Sequence, residues 1–174
     1  MVAEPASPSL LDTALSQVGV VELTDRNDGE QVERFLASVG LHAGPPWCSA
    51  YVHWVYRRCG QVEEPARQFA MAMRWAKGDT VWAKRGWEPQ PGKWKRITQD
   101  GDLFLLYYKE LGRIGHVGFI VGEDEDYLHT VEGNTNAAGS REGGGVYRRK
   151  RLKKGIHLIV RWPLVVPLLQ PLPS

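Results

Sequence analysis

Along the first part of the chain, apolar residues recur at helical spacing. Leu10, Leu11, Ala14, Leu15 and Val18 make one stripe, with Ser7–Pro8 ahead of it as a cap and a first-turn proline, and Gly19 behind it. After the turn Asp25–Arg26–Asn27–Asp28–Gly29, capped by Asp28, a second stripe of Val32, Phe35, Leu36 and Val39 runs to Gly40. Gly44–Pro45–Pro46 interrupts the chain, and a third helix is expected from about Trp47 to Cys59, closed by Gly60. A short helix over Ala66 to Ala76 leads into a Trp-, Lys- and Gly-rich loop from Lys77 to Gln99.

The period then changes. Asp102–Tyr108 and His116–Val121 read as buried strands, and Tyr127–Val131, Gly145–Lys150 and Gly155–Arg161 bring the set to about five. Helices followed by consecutive strands predict an α+β fold, with N-terminal helices packed on a C-terminal antiparallel sheet. With no repeat and no linker, residues 1–174 are expected to form a single domain.

Composition narrows the function classes. The chain has 174 residues with 43% hydrophobic content, enough for a real core. Lys and Arg number 22 against 20 acidic residues, which gives no global reason to expect nucleic-acid binding. HExxH and CxxC pairs are absent, so no metal or cofactor is expected. Met1 to Ser9 hold Glu4, two prolines and no basic cluster, so a secretory signal is not expected, and the apolar tail Leu164–Leu169 is too short to span a membrane. The chain is expected to be made in the cytoplasm. The run Arg148–Lys154 reads first as a solvated strand pair with its turn, and second as a patch for an anionic surface.

Cys48 stands at the first turn of the third helix. Unpaired backbone N–H groups and the positive end of the helix dipole favour an anion there, and the same groups can donate to an oxyanion. A packing role competes with this, because Cys48, Val52, Val55 and Cys59 fall on one helical stripe. On one helix Cys59 lies about 16 Å along the axis from Cys48, so both thiols are expected to be free and Cys59 structural.

A nucleophilic cysteine needs a base, and the base needs an orienting group. His116 opens an apolar strand between Gly115 and Gly118, and Thr130–Val131–Glu132–Gly133–Asn134 ends the next strand in a carboxylate and an amide. In adjacent antiparallel strands the start of one faces the end of the other, so His116 can meet Glu132 or Asn134.

These blocks resemble a known family. Gly44–Pro45–Pro46–Trp47–Cys48–Ser49–Ala50–Tyr51–Val52–His53–Trp54, Gly101–Asp102–Leu103–Phe104, Gly115–His116–Val117–Gly118 and Glu132–Gly133–Asn134–Thr135–Asn136 are similar to those of CHAP domains, the cysteine, histidine-dependent amidohydrolases/peptidases of the papain-like superfamily. The resemblance extends over roughly residues 9 to 162. It implies a papain-like fold, cleavage of an amide bond in bacterial peptidoglycan, and roles for Cys48 as nucleophile, His116 as base, Glu132 as orienter and Asn134 as fourth polar member of the site. The glutamine that such enzymes often carry before the cysteine as an oxyanion donor is missing from Leu41–Gly44. The resemblance also implies peptidoglycan as partner, action at the periplasm or cell wall, and carriage by an export machine or phage, with an immunity protein as counterpart of an exported effector. A monomer is expected. Competing readings are a cytoplasmic amidase of a small amide such as glutathionylspermidine and a non-enzymatic phage module.

Other features take lesser roles. Asp25, Asn27, Asp28 and Glu30 suggest a calcium loop, but Leu36 occupies the position a bidentate glutamate would need, so a capped turn is expected. Trp75, Trp82, Trp87 and Trp94 could stack on sugars or fill the core. The glycine-rich 137–145 segment is expected to border the site, and His42, His53, His129 and His157 receive no role.

Overall fold

The computed structural model describes residues 9–62, 66–83, 98–136, 138 and 143–163. Three helices, α1 (Leu10–Leu15), α2 (Glu30–Ser38) and α3 (Cys48–Arg58), precede two 3-10 turns over Arg67–Ala70 and Ala72–Lys77. Six strands follow: β1 (Asp79–Ala83), β2 (Leu103–Tyr108), β3 (Arg113–Glu123), β4 (Tyr127–Thr135), β5 (Gly145–Leu152) and β6 (Leu158–Arg161). They form one antiparallel sheet in the order β1-β6-β2-β3-β4-β5. The expected α+β architecture stands, with six strands among the described residues in place of about five. No helix among these residues is long and apolar enough to cross a membrane. Ser7–Pro8, Trp87, Trp94, most of the 137–145 segment and the apolar tail lie outside the described residues.

Two helix starts differ from expectation. Ser9 caps α1, its Oγ accepting the Asp12 N–H at 3.1 Å. Gly29, not Asp28, caps α2 at φ +105°, a backbone conformation suited to glycine. Asp28 instead closes its own turn, accepting the Thr24 N–H at 2.9 Å and the Thr24 hydroxyl at 2.5 Å.

Eight of the eleven residues of α3 are buried, which makes it the central helix rather than a one-sided stripe. Phe35 of α2 stacks on Trp47 with ring centroids 5.5 Å apart and meets Tyr51 and Trp54 edge-on. The Tyr51 hydroxyl donates to the Ala14 carbonyl at 2.7 Å, tying α1 to α3, and the Tyr51 ring abuts Phe119 of β3. Cys59 is buried just beyond α3, its Sγ 3.4 Å from the Thr13 hydroxyl, and both cysteines are free.

Side chains alternate across the sheet. Leu103, Leu105, Val117, Phe119, Val131 and Val160 join the helices in the main core. Phe104, Ile120, Leu128 and Ile159 form a smaller cluster with Trp82 and Ile156. Trp75 and Trp82 are buried, so both are packing residues. Asp102 is also structural. It binds Arg161 through two 2.8 Å hydrogen bonds, joining the start of β2 to β6.

The expected loop after Lys77 contains β1, a short strand paired with β6 across a register shift. The basic run is neither a fully solvated face nor a uniform patch. Arg148, Lys150, Leu152 and Lys154 are exposed, whereas Arg149, Arg151 and Lys153 turn inward. Lys153 is 7% exposed and pairs with Glu123 at 2.9 Å.

Two motif glycines allow close approach. A Cβ on Gly118 would lie 2.8 Å from the Phe104 ring and 2.9 Å from Glu132 Cγ, so the Glu132 side chain occupies the space above it. A Cβ on Gly133 would lie 2.7 Å from the Trp47 ring and 2.9 Å from Tyr51 Cβ, so β4 meets the start of α3 only through glycine. Gly133→Ala is expected to destabilise the fold by about 1–3 kcal/mol through overpacking. Chemical denaturation would show this as a lower midpoint at unchanged slope.

Candidate active site

The start of α3 is held from two sides. The Trp47 backbone N–H donates to Asn134 Oδ1 at 2.8 Å, and its indole N–H donates to Glu22 Oε1 at 2.9 Å. Glu22 Oε2 accepts the Asn27 N–H at 2.8 Å, and Asn27 Nδ2 donates to the Gly44 carbonyl at 2.7 Å. The 19–22 segment supplies Glu22 because it runs beside β5, with Glu22 N–H donating to Gly144 O at 2.7 Å and Val146 N–H to Val20 O at 2.9 Å. The first backbone bond within the helix is Tyr51 N–H to Trp47 O at 2.9 Å, which leaves the N–H groups of Cys48, Ser49 and Ala50 outside the helical ladder. Cys48 follows this anchored tryptophan and keeps 6% of its surface exposed.

The sheet places the other polar residues beside it. His116 on β3 and Glu132 on β4 have fully buried side chains, and the imidazole Nε2–H donates to Glu132 Oε2 at 2.8 Å. Nδ1 makes no directed hydrogen bond among the described residues, yet the Cys48 sulfur is near enough to act on the ring's proton affinity. Burial alone would lower the pKa of His116, but hydrogen bonding and charge from Cys48 and Glu132 outweigh it and raise it above the ordinary 6.5. Glu132 shows the converse balance. Burial alone would raise its pKa, but Arg151 and His116 outweigh that and hold it well below the ordinary 4.5.

Glu132 has two further partners. Thr130 on the same strand donates its hydroxyl to Oε1 at 2.5 Å. Arg151 on β5 clamps both oxygens, Nε to Oε1 at 2.9 Å and Nη2 to Oε2 at 2.5 Å. Neither residue was legible as part of the site, because Arg151 sits inside a run of like charges. The signal that could have found it is the period-two alternation of that run, which turns every second cation inward.

Three of the four expected residues, Cys48, His116 and Glu132, thus come together in a row. Asn134 lies at the other side of the helix start. It takes a left-handed backbone at φ +55° and bonds Trp47, the Gly143 carbonyl (3.1 Å) and Asn27 (3.4 Å), so it holds the cysteine's helix rather than the imidazole. Of the other histidines, His53 is buried against the Ser38 hydroxyl at 3.1 Å, and burial followed by the nearby Arg57 charge lowers its pKa to about 4. His129 pairs with Asp124 at 2.9 Å, and the His157 ring lies beside Tyr107.

A cavity of about 680 Å³ opens beside the helix start. It is lined by Val21, Glu22, Asp25, Asn27, Pro46, Asn134, Asn136, Gly143, Gly144 and Tyr147. Gly143 and Gly144, the described end of the glycine-rich run, line this cavity.

No curated protein is significantly similar to this chain. A family model described as CHAP domain matches residues 40–134, more than half of the 174 and narrower than the 9–162 over which the motifs resemble the family. The matched segment runs from just before the proline break to Asn134 and includes Cys48, His116 and Glu132. A cysteine at a helix tip, an imidazole beside it and a carboxylate behind the ring all fall within that stretch, and the chain belongs to the CHAP domain family of cysteine- and histidine-dependent amidohydrolases and peptidases.

Proposed function

We propose that this protein cuts an amide bond of bacterial peptidoglycan, with Cys48 as nucleophile, His116 as general base and acid, and Glu132 as orienter. The observation that carries this reading is the buried His116–Glu132 hydrogen bond of 2.8 Å, placed so that the ring's remaining nitrogen is the one left for Cys48. Glu132 holds the ring with Nε2 protonated, which leaves Nδ1 to take the thiol proton. The thiolate attacks the carbonyl carbon, and the unspent Cys48 N–H at the helix start donates to the oxyanion. His116 then gives its proton to the leaving amine, and the acyl-enzyme forms. Water that loses a proton to His116 releases the acyl group and restores the thiol. The cavity beside Pro46 and Asn134 leaves room for a substrate to extend away from the start of the cysteine's helix.

Wild-type protein incubated with purified sacculi is expected to release soluble muropeptides. Mass analysis of their new termini separates cleavage between muramic acid and L-alanine from cleavage within the stem or cross-bridge. Cys48→Ala should lose more than about a thousandfold in rate while keeping its fold. Turnover of glutathionylspermidine with intact sacculi left untouched would reject the wall-directed reading.

The same pair sets a pH signature. His116, raised on folding, contributes stability that is whole below 6.5 and lost as pH rises through its raised value. Glu132, lowered on folding, contributes stability that is whole above 4.5 and lost as pH falls through its depressed value. Both contributions are therefore complete between 4.5 and 6.5. Denaturation midpoints measured across pH should show an alkaline decline in wild type that is weaker in His116→Asn. An equal decline in both proteins would contradict the assignment.

A further inference from the structure

We propose that Arg151 is a positioning residue of the hydrolytic site, its guanidinium completing a balanced row of four charges that lets Cys48 and His116 stand as thiolate and imidazolium inside the protein. This rests on the reading of Cys48 as nucleophile. When the thiol proton moves from Sγ to His116 Nδ1, no other reactant is needed and Nε2–H stays on Glu132. The row then reads sulfur anion, imidazolium, carboxylate, guanidinium. Each charge has an opposite neighbour, and the sum is zero.

Without Arg151 the same proton transfer would leave two anions and one cation in a site where His116 and Glu132 are shut off from water. Transfer between sulfur and Nδ1 leaves that sum unchanged, so balance is restored only by a proton taken up from solvent at sulfur, and the thiolate then persists only at higher pH. The guanidinium suits this task because it stays charged at any working pH and meets the carboxylate as a planar fork.

The geometry separates this from an ordinary surface ion pair. Arg151 faces Leu128 across the β4–β5 ladder, yet its side chain runs along the sheet to Glu132, four residues farther on. Its side chain is only 15% exposed, while Arg148 and Lys150 on the same strand face outward. The groups facing this row come from every strand around it: Thr130 and Glu132 from β4, His116 from β3, and the Tyr108 phenol from β2, near Arg151. Cys48 adds the contribution of α3. Arg151 stands on strand β5, outside the segment matched by the family model.

The test measures the rate of iodoacetamide alkylation at Cys48 against pH, with the modified peptide identified by mass so that Cys59 does not contribute. Wild type, Arg151→Gln, Arg151→Met and Arg151→Lys are compared, with circular dichroism as the check of fold. The two neutral variants are expected to shift the profile's midpoint upward by about one pH unit, a roughly tenfold slower reaction on the acid side. Arg151→Lys keeps the charge without the fork and should shift upward by a smaller but resolvable amount, about 0.3 pH unit. Folded neutral variants with the wild-type midpoint would overturn the proposal. So would two unfolded neutral variants beside a folded, unshifted Arg151→Lys, which would mark a purely structural ion pair. A wild-type Cys48 that reacts no faster than an ordinary thiol would instead bring down the nucleophile reading itself, and with it this inference.

Discussion

The structure turns on one buried carboxylate. Glu132 is removed from water, and an ionised carboxylate tolerates that only when its oxygens are fully engaged by cations and donors. It is held by His116 from one neighbouring strand, Arg151 from the other and Thr130 from its own. Removing one partner of such a group typically costs about 3–5 kcal/mol, so the requirement constrains the registers of β3, β4 and β5 together. The arrangement that satisfies the carboxylate is also the one that aims the imidazole. Stability and chemistry are therefore set by the same hydrogen bonds.

A second constraint places the sulfur. The helix carrying Cys48 must start against β4, and Trp47 is the wedge between them. Gly133 makes room for the indole, Asn134 accepts the tryptophan's backbone N–H, and Glu22 accepts its ring N–H. Adjacent residues thus have separate duties, with Trp47 anchoring the helix tip and Cys48 lying beside the His116 ring. Because Glu22 arrives on a segment paired with β5, the edge of the sheet and the tip of the helix are fastened through one loop.

Some of this could be read directly along the chain. The stripe of α2, the span of α3, the buried strands and the order of cysteine, histidine and glutamate all follow from periodicity and residue chemistry, which are local properties. The glycines of the Gly-His-Val-Gly and Glu-Gly-Asn blocks signalled close approach, although not what approached. Asn134 was legible as a site-forming residue but not in its duty, because an amide at a strand end serves a helix start as readily as an imidazole. Strand β1 was hidden in a stretch rich in Lys and Gly, since its pairing partner β6 lies some eighty residues away.

By itself the sequence determined an α+β chain with a helix-tip cysteine and a histidine–carboxylate pair on adjacent strands, because side-chain period and turn chemistry are written in neighbouring residues. Only the tertiary structure decided that Arg151 belongs to Glu132, that Lys153 belongs to Glu123, and that Trp47 is pinned by Glu22 and Asn134. A run of cations looks the same along the chain whether its members face water or a buried carboxylate. The difference arises when strand pairing assigns each one a face and a neighbour, and that assignment depends on residues distant in sequence.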